Sequence, residues 1–282
     1  MANIDWNKLW ENQYLEPEKT ENIEFWDSFA SRFRKEKTGN EKDEYVEKFY
    51  EYSEFRPDDT IFDMGCASGT LAIPYAEKGH EVYAADFSGE MLKHLMIGAE
   101  EHDVADKIHP IKLNWNEDWS KRDLPVCDIA ISSRSFIVND LTQGIRNLES
   151  VARRKVCIGA WDTPRPFYDR TLARSIGYER PGYGCYFYIM NELMDRDLLP
   201  EMRFIKSKFR CTSFKTKESA ITAFEKSMDY GLPGGLTEEQ HSKMLEYCNE
   251  HLITFEKNNE TLFKLDHEEI STIAHISWEI AD

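Results

Sequence analysis

Residues Ile61–Thr70 read IFDMGCASGT. Apolar residues surround one acid, Asp63, and the chain then turns small through Gly65, Cys66, Ala67, Ser68 and Gly69. Such a change marks a strand running into a bend where the backbone turns sharply or lets a ligand come close. The bend opens a helix expected over Gly69–Lys78, with Gly79 as its stop. A helix start at the end of a strand presents unpaired N–H groups and the positive end of a dipole, which suits a carboxylate or phosphate.

Outward from this stretch the pattern alternates. Strands are expected over Thr60–Met64, Glu81–Ala85, Lys107–Leu113, Val126–Ser132 and Val156–Trp161. Helices are expected over Ser88–Glu101, with Ser88 as cap, and over Asp140–Ala152. The Val126–Ser132 run is nearly all apolar, as in a strand buried on both faces. Strands alternating with helices imply right-handed crossovers and a parallel sheet covered on both sides. Upstream, residues 3–52 read as helices with aromatic stripes at Trp6, Leu9 and Trp10, at Phe25, Phe29 and Phe33, and at Tyr45, Phe49 and Tyr52. After Trp161 the rhythm breaks at DTPRPFYDR and GYERPGYGCYFY. A strand is expected over Met202–Phe209 and helices over Lys217–Met228 and Thr237–His251. Thr261–Leu265 and Ser271–Trp278 read as a closing antiparallel pair. The domain reading is a helical N-terminal cap over 1–55 and a domain over 56–282 with a lid inserted at about 163–200.

The 282 residues include 35 basic and 52 acidic side chains, a net charge of −17. That field opposes nucleic acid and anionic membrane surfaces as partners. The dense basic group Arg153–Lys155 reads as a cationic helix end. No apolar run reaches the roughly 20 residues that span a bilayer. The first residues lack the basic flank and apolar stretch of a secretion signal, so a cytoplasmic protein is expected. Six cysteines show no CxxC spacing and no histidine pair completes a zinc set, so no metal is expected. Cys185, in an aromatic segment, is the one retained as a functional candidate.

A second acid, Asp86, ends the second strand, where ribose hydroxyls are held in nucleotide-binding sheets. A nicotinamide site wants G-x-G-x-x-G, whereas this chain has Gly65-x-Ala67-x-Gly69 with an acid two residues before the first glycine. That acid can receive an ammonium. Carboxylate, ammonium and ribose together describe S-adenosylmethionine better than a dinucleotide.

The run IFDMGCASGTLAIPYAEKGHEVYAADFSGEMLKHL resembles the first two motifs of class I S-adenosylmethionine-dependent methyltransferases, with Ala67 where their middle glycine stands. The resemblance continues through IKLNWNEDW and CDIAISSRSFI. It implies an α/β fold: a seven-stranded, mostly parallel sheet with helices on both faces, its last strand antiparallel and supplied by STIAHISWE, and a lid between strands five and six. It further implies that Asp63 faces the methionine ammonium, and that Gly65, Ala67 and Gly69 form the turn under the cofactor. Asp86 would hold the ribose, and Phe87 or Met91 would flank the adenine. Asn114 and Trp115 follow strand three, where adenine contacts fall; for Trp115 ordinary packing is the alternative. Ser132, Ser133 and Arg134 follow strand four, near the methyl group.

The acceptor side is less legible. Arg134, Asp162, Tyr183 and Tyr186 are the catalytic candidates, each with an ion-pair, capping or packing alternative. Trp10, Tyr14, Phe29, Trp161, Tyr183, Tyr186 and Tyr188 are candidate walls for a cationic sulfonium. His80 is expected to be exposed and His109 structural. The implied reaction is methyl transfer to an O, N or S atom of a small molecule. A non-catalytic binding module and a nicotinamide oxidoreductase stand as alternatives, and the oligomeric state is open.

Overall fold

The computed structural model describes residues 4–14, 23–24, 26–27, 44–162, 168–178, 183–208, 213–232, 234–257, 259–268 and 270–280. The chain divides into two compact units, one of Met1–Asp162, Tyr183–Ile205 and Ile273–Asp282, the other of Thr163–Gly182 and Lys206–Thr272.

The first unit is built on seven strands: β1 (Ile61–Met64), β2 (Val82–Asp86), β3 (Ile108–Lys112), β4 (Cys127–Ser133), β5 (Ala152–Trp161), β6 (Glu201–Lys208) and β9 (Ile270–Glu279). Their order is β3-β2-β1-β4-β5-β9-β6. The pairs β1·β2, β1·β4, β2·β3 and β4·β5 are parallel, and β5·β9 is antiparallel, with Gly159 opposite His275. The order reverses at β1, which lies between β2 and β4. Chains leaving the carboxyl ends of β1 and β4 therefore diverge, and the crevice between them is where open α/β sheets take ligands.

Both faces of the sheet are covered. Helices α2 (Glu44–Ser53), α3 (Ala72–Glu77) and α4 (Gly89–Glu101) pack one face around Phe49, Ile61, Ile73 and Leu95. Helices α1 (Trp6–Tyr14), α5 (Leu141–Ser150) and α7 (Cys185–Asp195) pack the other around Trp10, Phe62, Ile145 and Ile189. Trp10 is buried and its Nε1 donates to the Val138 carbonyl at 2.8 Å, so its one polar atom is satisfied inside the core. Ser88 caps α4 by accepting from the Met91 N–H, as expected from the sequence, and Asp140 caps α5 through the Gln143 N–H.

The second unit contains α6 (Arg170–Ser175), α8 (Lys217–Gly231) and α9 (Glu238–His251), with strands β7 (Leu252–Lys257) and β8 (Glu260–Leu265). Leu172, Met228, Met244 and Cys248 form its core. Asp169 caps α6 and also meets His267 Nε2 at 2.9 Å.

Three expectations need correction. Thr261–Leu265 does not pair with Ser271–Trp278: β8 pairs with β7, a strand the sequence reading passed over, and β9 pairs with β5. The alternating Leu252–Lys257 run follows α9 directly, without turn residues, so nothing punctuated it. Arg153–Lys155 lies in β5 and not at a helix end. Each cation meets an acid: Arg153 meets Asp128, Arg154 meets Asp59, and Lys155 meets Glu54 at 2.7 Å. His80 is buried, with Nδ1 donating to the Asp59 carbonyl and Nε2 beside the Tyr50 hydroxyl, both at 2.8 Å. The second unit takes Thr163–Gly182 from the connection between β5 and β6 and Lys206–Thr272 from the one between β6 and β9. Of the N-terminal aromatic stripes, Phe25, Phe29 and Phe33 lie outside the described residues.

His275, in β9, is 1% exposed. Its Nε2 lies 3.1 Å from Ser53 Oγ, and its ring meets Phe49 edge-on. Burial, reinforced by the positive charges of Lys155 and Arg203, pushes the imidazole down to about 3 from 6.5. The unfolded chain takes a proton on this group below pH 6.5 and the folded chain does not. Its contribution to stability is therefore complete above pH 6.5 and is lost as pH falls toward 3. In His275→Gln, denaturant unfolding across that window should show a shallower acid dependence than the parent, the difference reaching up to about 1.4 kcal/mol per pH unit. Parallel slopes would mean that the imidazole is not held neutral.

Candidate functional site

The bend after β1 holds its shape through three left-handed residues. Gly65, Ala67 and Gly69 have φ of 76°, 49° and 88°. Only glycine adopts this region without steric cost, so Ala67 carries strain of about 1–2 kcal/mol. The glycines are also required by packing. A Cβ on Gly65 would stand 2.4 Å from Ser135 Cβ, and one on Gly69 would stand 2.5 Å from Leu95 Cδ1. Ser135 belongs to the loop after β4 and donates from Oγ to the Met64 carbonyl at 2.9 Å. The loops at the switch point are thus in direct contact.

Asp63 is 2% exposed at the carboxyl end of β1, beside Ala84 on β2 and Ile131 on β4. Asp86 is 6% exposed at the end of β2. Its Oδ2 accepts from the Ala67 N–H and its Oδ1 from the Ser88 N–H, each at 2.9 Å. Desolvation pushes its carboxyl up to about 6 from 3.8, although the backbone N–H groups of Ser88, Ala67 and Phe87 pull the other way. The Asp27 carboxylate adds to the rise, and the Ser88 hydroxyl donates to that same carboxylate.

Just beyond Asp86, Phe87, Leu113 and Asn114 line a groove of about 390 Å³ with Ile23, Lys112, Glu117 and Arg122. The groove joins Phe87 and Asn114, two residues separately expected beside adenine. Met91 is buried in the first turn of α4 and is not among the groove's residues. Trp115 is absent from it too. The indole stacks on Trp119, meets Phe136 edge-on and donates to the Ser135 carbonyl. Ser132 is fully buried and its Oγ lies 3.0 Å from Ser135 Oγ, which secures the loop.

Directly after β4, Arg134 has φ of 60°, and its guanidinium lies over the Tyr45 ring at 4.3 Å. The Tyr45 hydroxyl and Ser133 Oγ share a 2.5 Å hydrogen bond. Trp161 Nε1 donates to the Arg134 carbonyl. Asp162 follows β5, and Gly184 packs so tightly on it that a Cβ there would stand 2.7 Å from the Asp162 carbonyl. The Tyr183–Tyr186 segment is thereby held against the end of β5. Within it, Tyr183 is 60% exposed and stacks on Phe187, while Tyr186 meets Phe204 edge-on. Tyr188 is buried against Trp10. Burial holds the Cys127 and Cys157 thiols up at about 12, and Cys185 is buried at the start of α7. The sequence reading missed Tyr45 and Ser135 as parts of the site. The aromatic stripe carried the only signal for Tyr45, and it reads equally as core.

A nucleoside–amino-acid ligand fits these residues. The buried Ser68 Oγ in the bend has no hydrogen-bond partner among the described residues. A buried hydroxyl left this way costs about 1–3 kcal/mol, which a ligand group at the bend would relieve.

The strand order, the reversal at β1 and the antiparallel β9 define the class I methyltransferase fold. No family model matches the chain. It is 28% identical over 203 residues to an uncharacterised protein of Haemophilus influenzae, covering 72% of this chain and 74% of that one. It is 31% identical over 125 residues to the chloroplastic magnesium protoporphyrin IX methyltransferase of Arabidopsis thaliana, covering 44% of this chain and 38% of the plant enzyme. Among solved structures, the YcgJ protein of Bacillus subtilis matches with a TM-score of 0.50 at 11% identity, covering 84% of this chain and 98% of that one. That likeness is one of fold. Among the described residues, no helix is long and apolar enough to cross a membrane, and no cluster of side chains suits a metal ion.

The bend can be tested apart from any ligand. Ala67→Gly relieves the strain and should raise stability by up to about 1 kcal/mol, after glycine's own entropic cost. Gly65→Ala adds both a left-handed penalty and the Ser135 clash, and should cost about 2–5 kcal/mol. Urea unfolding of the two variants should move in opposite directions. A stable Gly65→Ala would disprove the close approach of the loops.

Proposed function

We propose that this chain is an S-adenosylmethionine-dependent methyltransferase that acts on an O, N or S atom of a small molecule. The observation that carries this reading is the pair of buried carboxylates, Asp63 and Asp86, on adjacent parallel strands, joined by a bend of left-handed residues that one of them grips. Asp63 would receive the ammonium of the amino-acid end. The bend would pass beneath the sulfur, Asp86 would accept from the ribose hydroxyls, and Phe87 and Asn114 would bound the adenine. A pyrophosphate needs several free N–H groups at such a bend, yet here the Ala67 N–H is already engaged by Asp86, which counts against a dinucleotide. The partial identity to the plant methyltransferase supports methyl transfer. Its porphyrin acceptor is not carried over, because the chain spans 38% of that enzyme's length.

When bound, the cofactor would supply a methyl group already activated on a sulfonium. The chain would then hold the acceptor in line and exclude water, and orientation of this kind supplies up to about 7–11 kcal/mol in favourable cases. The loop after β4, with Asp162 and Tyr186, would supply that surface. His80 sits before β2, at the opposite end of the sheet from the bend, and His275 is buried against Ser53. Neither is placed as a base. The segments over 1–55 and about 163–200 would act as cap and lid.

Calorimetry with S-adenosylhomocysteine tests the reading. Saturable binding is expected, and binding to NADH is not. Asp86→Asn should weaken it about ten- to a hundredfold, the worth of charge-assisted hydrogen bonds. The ribose hydroxyls need the carboxylate form, whose ordinary range Asp86 exceeds by titrating near 6. Affinity should accordingly fall as pH drops through about 6 in the parent and stay flat in Asp86→Asn. Absence of binding to either S-adenosyl compound ends the proposal. Binding without methyl release to any acceptor tried would favour a non-catalytic module.

A further inference from the structure

Among the described residues, Arg134 is a cation with no ion-pair partner. The chain carries 52 acids against 35 bases, and other internal cations find them. Arg196 meets Glu149 at 2.7 Å, Lys155 lies between Glu54 and Glu279, and Arg154 meets Asp59. Arg134, half-buried at the carboxyl end of β4, makes no ion pair among the described residues. What it has is a platform. Its guanidinium lies over the ring of the fully buried Tyr45, and that ring is pinned by the hydrogen bond to Ser133. A guanidinium stacked on an aromatic face keeps its N–H edges free for bidentate contact with an oxyanion.

The backbone supports the same reading. Arg134 has φ of 60°, a conformation that costs about 1–2 kcal/mol for a side chain of this size. It is held there from both sides, by its N–H donating to the Gly159 carbonyl at 2.8 Å and by Trp161 Nε1 donating to its own carbonyl. The next residue, Ser135, is the one pressed on Gly65 of the bend. The strained arginine thus stands one residue from the contact between the cofactor loop and the acceptor loop. A cation near the proposed sulfonium would oppose cofactor binding, and an anionic acceptor would cancel that repulsion.

We propose that Arg134 is a specificity-determining residue that pairs with a carboxylate or phosphate on the acceptor, so that the substrates of this enzyme are small anions. The proposal rests on the methyltransferase reading for the word acceptor, but the oxyanion site itself can be tested without it.

The test uses the full chain labelled with 15N and follows two NMR signals, the Arg134 Nε–Hε pair and the Trp161 indole. They are assigned by their loss in Arg134→Gly and Trp161→Phe. Glycine at 134 removes the guanidinium while favouring the left-handed backbone, so loss of fold does not confuse the result. Benzoate, inorganic phosphate and the uncharged benzamide are titrated, with and without S-adenosylhomocysteine. Benzoate or phosphate should shift both signals saturably, with an affinity at least about tenfold above benzamide's, and the Trp161 shift should vanish in Arg134→Gly. The arm that binds tells a carboxylate from a phosphate. If neither oxyanion moves the signals more than benzamide does, or if the Trp161 response survives in Arg134→Gly, the proposal fails. Failure of S-adenosylhomocysteine to bind, measured separately by calorimetry, overturns the cofactor reading alone.

Discussion

The site depends on one buried carboxylate with two backbone obligations. Asp86 accepts from the Ala67 N–H on one oxygen and the Ser88 N–H on the other. The first bond fixes the bend after β1, and the second fixes the entry to α4. Remove the carboxylate and both turns lose their common anchor. The arrangement is costly to the free protein. Burial lifts the Asp86 carboxyl to about 6, so the native chain holds its proton more tightly than the unfolded one, and between pH 3.8 and 6 this group's contribution to stability falls as pH rises. At neutral pH the charged form is the one tolerated at a cost. A ligand that donates hydroxyls to it would lower that cost, and part of the burial cost would return as affinity.

Much of this was legible in the sequence because it follows from local rules. Small residues after an apolar run announce the bend, and the acid at the end of each strand needs only the strand register to be placed. Ser88 as a cap follows from the residue type and its position before Glu90. The parts that escaped depend on contacts between distant segments. The strands β8 and β9 each look like half of a hairpin, and nothing local says that β9 instead enters the main sheet beside β5 while β8 turns back on β7. His80 looked like a loop histidine. Its burial depends on Tyr50, thirty positions upstream, closing over it. Trp115 sat at the right sequence position for an adenine contact, yet the loop after β3 turns its indole inward onto Trp119, while Asn114 faces the groove.

The aromatic stripe at Tyr45 and Phe49 was read as core, and it is core, but its packing also shapes the site. Helix α2 approaches β5 closely because position 159 is glycine. A Cβ there would stand 2.6 Å from the Tyr45 hydroxyl and 3.0 Å from Phe49 Cε2. That space lets the Tyr45 hydroxyl reach Ser133, and the pinned ring then carries the Arg134 guanidinium. Gly159 also supplies the carbonyl that receives the Arg134 N–H.

Two glycines therefore play parallel parts on the two sides of the crevice. Gly65 lets the loop after β4 press on the bend beneath the proposed cofactor, and Gly159 lets an N-terminal helix reach through to the acceptor side. Neither needs to touch a ligand. A substitution at 159 would act on Arg134 through the displaced tyrosine, and its effect on acceptor choice would exceed its effect on the cofactor groove beside Phe87, which it does not adjoin. What the proposed site selects would thus be decided one layer below the surface that meets the ligand, by how closely backbone can approach backbone.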